Sequence, residues 1–302
     1  MSASILFSKV GLMGNPRDPR ALESMRILAT HLGSHGRRVL VSDAITPQAI
    51  PDASARIPES AFASEAELVI TVGGDGSMLY ATRRLAGSGV PLLGINRGRL
   101  GFLADIRPTE VPGAIDEVLR GEFDREQRLL LRAEVLEGER LVASGLALND
   151  IAVTRHDPGH MLEVRSFVDG HYVNTHSGDG FIVATPTGST AYALSCGGPI
   201  VSPLLDALVL VPICPHTLSE RPILIPASAL IGISLADDHS LHADVSCDGK
   251  VIAELSPGRQ LRVRAAEETI ELIHPRGYDY FRILREKLHW GRDHQSTGKP
   301  QD

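Results

Sequence analysis

The loop Gly73–Ser77 (GGDGS) carries the strongest local signal for chemistry in the sequence. It follows the apolar run Leu68–Val72 and precedes a segment, SMLYATRRLA, with helical spacing of its apolar residues. Glycines let the backbone approach a ligand closely, and the free amides at the start of a helix attract anions. The loop has neither the lysine of a Walker A motif nor the spacing of a dinucleotide-binding fingerprint. The sequence therefore predicts a phosphate-binding loop that is neither a Walker A motif nor a dinucleotide-binding fingerprint.

Asp75 is the informative residue of this loop. A carboxylate among phosphate-binding glycines is repulsive unless it holds a metal or accepts a proton from an attacking hydroxyl. Its presence therefore favours phosphoryl transfer over passive binding. The alternative is an aspartate that caps a helix beginning near Ser77. The loop alone leaves both interpretations open.

A second polar segment begins at Asp179-Gly180, where the predicted strand FIVAT leads into a turn rich in hydroxyls and a short helical segment, AYAL. The hydroxyls of Thr187, Ser189 and Thr190 can donate hydrogen bonds to phosphate or ribose oxygens, as can the backbone amides after Gly188. The alternative is a capped helix with a tight turn.

A third polar pair, Asn149-Asp150, ends the apolar run GLAL. Taken alone, such a pair is a turn in most cases. If Asp150 instead binds a ligand, its position at the end of a strand predicts that it contributes little to the stability of the core.

Five segments occur in an order and spacing that closely resemble bacterial NAD kinase: GGDGS, NRGRLGFLAD, ALND, DGFIVATPTGSTAYALSCGGPIV and VPICPHTLSERP. The resemblance covers Val69 to about His274. The GGDG loop is not specific, because diacylglycerol and sphingosine lipid kinases and phosphofructokinases carry similar loops. The TPTGSTAY block is far more specific.

The resemblance implies an enzyme that phosphorylates the adenosine-ribose 2′-hydroxyl of NAD with ATP and Mg²⁺ to make NADP. By matching motifs, Asp75 corresponds to the catalytic base. The residues expected to contact the dinucleotide are Gly74, Asp75, Gly76, Asn149, Asp150, His160, Ser177, Asp179, Thr187, Ser189, Thr190, Ala191, Tyr192, Ala193, Leu194, Ser195 and Lys250. Many relatives carry Glu in place of Asp150, and some carry a basic residue in place of Ser177.

Two other functions remain open beside this one. The first is a lipid kinase that shares the GGDG loop, and the second is a catalytically silent NAD(P)-binding regulator. A lipid-kinase function does not explain the presence of the TPTGSTAY block. The resemblance further implies a homodimer or homotetramer, because nucleotides in the family lie across subunits. No side chain of the protein is predicted to hold a metal of its own.

The elements that position these residues follow from the hydrophobic pattern. The first third alternates continuous apolar strands with helical segments, which predicts parallel βαβ units with ligands at the carboxyl ends of the strands. Short apolar runs separated by turn residues follow, which predicts hairpins. We therefore expect an α/β domain over residues 1–127 and a mainly β domain over residues 128–275. Residues 276–302 are expected to form a helix that returns to the first domain, and a disordered tail.

Composition limits the partners of the chain. The 302 residues have a formal net charge of −7, and only 4% are aromatic, which disfavours binding to nucleic acid. No window offers the ~18 or more uninterrupted apolar residues of a membrane helix, and no signal peptide is recognisable. The three cysteines, Cys196, Cys214 and Cys247, have no spacing typical of disulfides or zinc sites. The cytoplasm is the expected location.

Overall fold

A computed structural model of the chain describes residues 6–98, 101–156, 161–236 and 242–290. It divides into two compact units. The first comprises residues 1–126 together with 271–302, and the second comprises residues 127–270. The sequence places these divisions at 127/128 and 275/276. None of the described helices is long and apolar enough to cross a membrane.

The first unit is an α/β structure with a parallel sheet. Its elements are β1 (Lys9–Gly14), α1 (Pro19–Ser34), β2 (Arg38–Ser42), β3 (Ala55–Ile57), α2 (Phe62–Glu65), β4 (Leu68–Gly73), α3 (Asp75–Leu85), β5 (Leu92–Asn96) and α4 (Val111–Arg120). The parallel strands follow the order β5-β4-β1-β2-β3. The predicted α/β fold of this part of the chain is confirmed.

Helix α1 shows how local sequence produces these elements. It begins after Asp18, whose carboxylate accepts a hydrogen bond from the backbone N–H of Arg20, and Pro19 occupies its first turn. Its residues Ala21, Met25, Leu28, Ala29 and Leu32 are buried at helical spacing. They pack with the buried strand residues of the sheet into one hydrophobic core. Helix α1 is thus one of the helical segments that the sequence predicts between the strands of the first third of the chain.

The C-terminal helix α6 (Tyr280–Leu288) belongs to the first unit, as the sequence predicts. Its first turn is capped by the Asp279 carboxylate, which accepts from the backbone N–H of Phe281 and Arg282. Ile283 and Leu284 are buried. The predicted disordered tail, which comprises the last ten residues, lies outside the described residues.

The second unit is mainly β, as predicted. Its strands are β6 (Phe123–Glu137), β7 (Arg140–Ala147), β8 (Asp150–Arg155), β9 (Leu162–Val168), β10 (His171–Gly178), β11 (Gly180–Ala184), β12 (Ala207–Ile213), β13 (Ile223–Pro226), β14 (Ile231–Leu235), β15 (Ala243–Cys247), β16 (Lys250–Leu255) and β17 (Arg259–Pro275). The start of β6 and the end of β17 belong to the first unit. One antiparallel sheet has the order β13-β12-β11-β8-β15-β16. In the other, β10, β9, β14 and β17 are neighbours in that order, and β6 pairs with both β17 and β7. A short helix, α5 (Tyr192–Ser195), follows the turn after β11.

Candidate active site

The GGDG loop joins β4 to α3 at the carboxyl end of the parallel sheet. Helix α3 begins at Asp75, two residues earlier than the sequence indicates, with Gly74 before it as the N-cap. A Cβ at Gly73 would lie 2.0 Å from Ser77 Oγ, so a larger residue would displace the start of the helix. A Cβ at Gly74 or Gly76 would meet no atom within 4 Å, so the loop leaves open space in front of the helix. The geometry suits the close approach of an anion.

The carboxylate of Asp75 accepts three backbone hydrogen bonds from the segment that follows β5. Oδ1 accepts from the N–H of Leu103 at 3.0 Å and of Ala104 at 3.2 Å, and Oδ2 accepts from the N–H of Phe102 at 3.0 Å. The N-cap of α3 has no side-chain hydrogen bond, so Asp75 does not act as the helix cap that the sequence left open. A Cβ at Gly101 would lie 2.1 Å from Oδ1, so this glycine permits the arrangement. The carboxylate is therefore held in one orientation.

A cavity of about 470 Å³ lies beside the GGDG loop within the first unit. Its lining includes Asn15 and Arg17 after β1, and Gly76 and Ser77 at the start of α3. Glu59 also lines it, but its carboxylate accepts hydrogen bonds from the Tyr80 hydroxyl and from Arg84 Nε, which offsets its charge. The helix N-terminus and the Arg17 guanidinium both favour negative charge in this cavity.

In the second unit, the turn after β11 packs directly on the Asn149-Asp150 segment. Thr185 Oγ1 donates to the Leu148 carbonyl at 2.6 Å and accepts from the Gly188 N–H at 3.0 Å. The Thr185 N–H donates to the Asn149 carbonyl at 2.9 Å. A Cβ at Gly188 would lie 1.9 Å from that carbonyl oxygen, so only glycine fits there. The structure thus brings together two motifs that the sequence treats separately.

Asp248 fixes the other side of the same segment. Its carboxylate accepts from the N–H of Leu148 at 3.0 Å, of Asn149 at 2.8 Å and of Asp150 at 3.3 Å. Asp248 itself has φ +48°, in a tight turn with Gly249. Asp248 was not among the predicted site residues, because a turn residue between strands carries no local signal of which distant amides its carboxylate binds.

Asp150 is 5% exposed. Burial, and secondly the neighbouring charge of Asp248, raise its pKa to about 7. A buried carboxyl is costly to ionise, so the burial of Asp150 does not favour the expectation that it contributes little to stability, which stays a prediction. Tyr192 is 41% exposed, and partial burial, followed by smaller contributions from Cys196, Cys214, Asp150 and Asp179, raises its pKa. Three of the predicted site residues are thus electrostatic neighbours.

The remaining predicted residues differ in accessibility. Ser189 is fully buried, and its hydroxyl donates to the Pro186 carbonyl at 2.6 Å and accepts from the Val201 N–H at 2.9 Å. Ala193 is also fully buried. Their side chains therefore hold the turn together in this conformation. A contact between either side chain and a nucleotide stays a prediction that the geometry does not favour.

The other members of the predicted set keep some surface or a polar partner. Thr187 is buried, and its hydroxyl accepts from Arg128 Nη1 at 3.3 Å. Asp179 lies 3.3 Å from Arg155 Nη1. Tyr192, Ser195 and Lys250 are exposed, and Ser177, Thr190, Ala191 and Leu194 are partly exposed. His160 lies outside the described residues.

Comparisons with known proteins agree with this arrangement. Residues 10–123 match the family profile described as ATP-NAD kinase N-terminal domain, and residues 148–275 match the ATP-NAD kinase C-terminal domain. An NAD kinase of Chromohalobacter salexigens is 43% identical over 94% of this chain and 97% of its own length. An NAD kinase of Hahella chejuensis is 41% identical over 97% and 99% of the two chains.

Two solved structures share the fold. The structure of yeast NADH kinase complexed with NADH has a TM-score of 0.87 and 27% identity, covering 99% of this chain and 91% of that one. The structure of an NAD kinase from Archaeoglobus fulgidus in complex with ATP has a TM-score of 0.73 and 25% identity, covering 93% and 98%. The two units and their polar loops are those of a phosphotransferase that acts on nucleotides. The chain belongs to the NAD kinase family. Neither alternative, the lipid kinase or the silent regulator, gains support.

Proposed function

We propose that this chain transfers the γ-phosphoryl group of ATP to the adenosine-ribose 2′-hydroxyl of NAD, forming NADP and ADP. Family membership and the NADH and ATP bound in the two solved relatives support this assignment. The observation that carries it is the Asp75 carboxylate, oriented by three backbone N–H groups at the mouth of an anion-favouring loop.

Asp75 is the proposed general base. A carboxylate has about four lone-pair positions, and Oδ1 uses two of its own while Oδ2 uses one. Oδ2 therefore keeps a position that can accept the proton of the ribose hydroxyl. As the O2′–P bond forms and the bond between Pγ and the bridging oxygen breaks, the proton passes to Asp75 and ADP leaves with the electron pair. A positioned base of this kind contributes about 10²–10⁴-fold to the rate.

The cavity beside Gly76 and Ser77 is the proposed position of the ATP phosphates. The positive end of the α3 helix dipole and the Arg17 guanidinium offer positive charge. Mg²⁺ prefers oxygen ligands and usually keeps several waters. The oxygens of Asn15 and Ser77 fit that preference, and no cage of several carboxylates is needed for an ion that arrives with ATP. When bound, the ion neutralises charge on the transferring phosphoryl group.

Residues of the second unit are proposed to bind NAD. Asn149 and Asp150 lie on a segment whose backbone is held from both sides by Thr185 and Asp248, so the backbone that carries their polar side chains has little freedom. A carboxyl with a pKa near 7 can donate to, or accept from, a ribose hydroxyl near neutral pH. Ser177, Asp179, Lys250 and His160 remain proposed contacts through the family resemblance.

The test of this function is turnover with a matched pair of variants. Purified protein is incubated with NAD, ATP and Mg²⁺, and NADP is measured. Asp75→Asn is expected to lower kcat by about 10²–10⁴-fold. Asp279→Asn is the control, because Asp279 also accepts two backbone N–H bonds at the start of a helix but caps α6. The control should turn over like the wild type.

Melting temperatures separate catalysis from folding in this test. If Asp75→Asn folds, binds NAD and still makes NADP within a few-fold of wild type, Asp75 is not the base. If the wild type binds NAD but makes no NADP with ATP, the silent-regulator alternative is correct and the proposed function is wrong.

Assembly and location are further parts of the proposal. A homodimer or homotetramer is expected from the family, and sedimentation velocity measures it directly. The cytoplasm is the proposed location, because a reducing compartment suits cysteines that, among the described residues, form no disulfide.

A further inference from the structure

Three side chains with metal-binding atoms converge on the surface of the first unit. His31 lies in the last turn of α1, His35 follows four residues later, and Asp116 lies on α4. His31 Nε2 is 2.8 Å from Asp116 Oδ1, and His35 Nε2 is 3.4 Å from the same oxygen. One ligand atom from each residue lies within 4.8 Å of the other two.

His35 adds a second imidazole to the contact between His31 and Asp116. Its Nδ1 lies 3.0 Å from the carbonyl oxygen of His31. A carbonyl only accepts, so Nδ1 can donate to it, and Nε2 is then the ring nitrogen directed at the Asp116 carboxylate, 3.4 Å away. The Nε2 atoms of both histidines thus converge on one carboxylate oxygen, an arrangement that fits a shared cation.

The arrangement has the features of a transition-metal site. Zn²⁺ binds histidine nitrogen at about 2.0–2.1 Å and carboxylate oxygen at about 2.0–2.2 Å, which places neighbouring ligands of a tetrahedral site about 3.3–3.5 Å apart. The His35–Asp116 distance already has this value, and the His31–Asp116 distance needs to open by about 0.5 Å. The hydrogen bond from His35 Nδ1 to a backbone carbonyl is the outer contact that typically orients a metal-bound histidine.

We propose that His31 Nε2, His35 Nε2 and the Asp116 carboxylate bind a divalent transition-metal ion of the Zn²⁺ class. All three side chains are between a quarter and a half exposed, so water can complete the coordination. Two imidazoles disfavour Mg²⁺, which prefers oxygen ligands, so this ion differs from the one that accompanies ATP.

The position of the site within the first unit indicates its role. Helix α1 starts after the carboxyl end of β1 and ends before β2, so its last turn lies at the amino edge of the parallel sheet. The GGDG loop lies at the carboxyl edge, after β4. The metal therefore joins α1 to α4 at the edge away from Asp75, and it stabilises the unit without entering the reaction.

The experiment measures Zn²⁺ binding to the whole protein after treatment with a chelator. Calorimetric titration gives the affinity and number of sites, and Co²⁺ absorption reports the ligand geometry. His35→Gln and Asp116→Asn should each lower the affinity of the proposed site for Zn²⁺ by at least about 10–100-fold. His171→Gln is the control, because His171 is an exposed histidine of β10 in the second unit. Zn²⁺ at 100 times its Kd should raise the melting temperature by about 5–10 °C in the wild type and the control only.

The outcomes separate the two interpretations of the cluster. Loss of a single Zn²⁺ site and of the thermal shift in both cluster variants, with melting temperatures of the metal-free proteins unchanged, supports the proposal. A wild type that binds no Zn²⁺, or cluster variants that bind it with wild-type affinity and number of sites, overturns it. In that case the contacts between the two histidines and Asp116 are hydrogen bonds without a metal ion.

Discussion

The buried carboxyl of Asp150 makes the stability of the protein depend on pH in a way that one substitution tests. Asp150 begins β8 and is 5% exposed, and its pKa is raised from 3.8 to about 7 by burial and by Asp248. In the unfolded chain the pKa returns to its ordinary value. The folded state therefore binds a proton more tightly than the unfolded state between about pH 4 and pH 7.

The sign and size of the effect follow from this difference. Where the folded state binds more protons, the free energy of unfolding falls as pH rises. Each unit of pKa difference corresponds to about 1.4 kcal/mol, so a difference of about three units costs about 4 kcal/mol above pH 7. Asn has nearly the same shape and no charge. Asp150→Asn should therefore remove this loss, and its stability advantage over the wild type should grow by about 3 kcal/mol between pH 5 and pH 8.

Urea unfolding at pH 5 and pH 8 measures this change directly. Asp206→Asn is the matched control, because Asp206 is exposed in the turn before β12 and should leave the pH profile parallel to that of the wild type. NAD binding is measured separately on the wild type and on Asp150→Ala. Loss of a charge-assisted hydrogen bond to a ribose hydroxyl should weaken NAD binding in this variant by about 10–100-fold. If Asp150→Asn and the wild type keep a constant stability difference from pH 5 to pH 8, the carboxyl does not titrate in this range and the argument fails.

Three further changes test the backbone contacts and the chemistry. Gly101→Ala puts a Cβ 2.1 Å from Asp75 Oδ1, so it should lower kcat by about 10-fold or more with the carboxylate still present; wild-type kcat in steady-state assays would show that its orientation is unimportant. Gly188→Ala puts a Cβ 1.9 Å from the Asn149 carbonyl, and it should lower the melting temperature and raise KM for NAD; an unchanged KM in folded protein would separate this turn from NAD binding. Replacing all three cysteines with alanine should leave turnover within a few-fold of wild type, with a lower melting temperature because Cys247 is buried; loss of NADP formation in folded protein would implicate a thiol.

Local signals in the sequence were sufficient for the elements and for the loops that end them. The continuous apolar run Leu68–Val72 followed by glycines predicts a buried strand that leads into a ligand-binding loop. The structure has this arrangement at β4 and the start of α3. Apolar residues at helical spacing, as in α1, predict the α/β part of the fold. The short apolar runs separated by turn residues after α4 predict the mainly β part. These signals are local, because burial on one face imposes a period on consecutive residues.

Tertiary structure decided which distant backbone groups each carboxylate binds. Asp75 was read as a base or a helix cap, yet its carboxylate binds amides 27 to 29 residues away, after the next strand. Asp248 lies in a tight turn between strands, yet its carboxylate binds amides about 100 residues away and shifts the pKa of Asp150. The cluster of His31, His35 and Asp116 likewise needs α1 and α4 to pack together. Sequence spacing describes neighbours along the chain, whereas a carboxylate selects its partners by distance and burial, which only the packed fold defines.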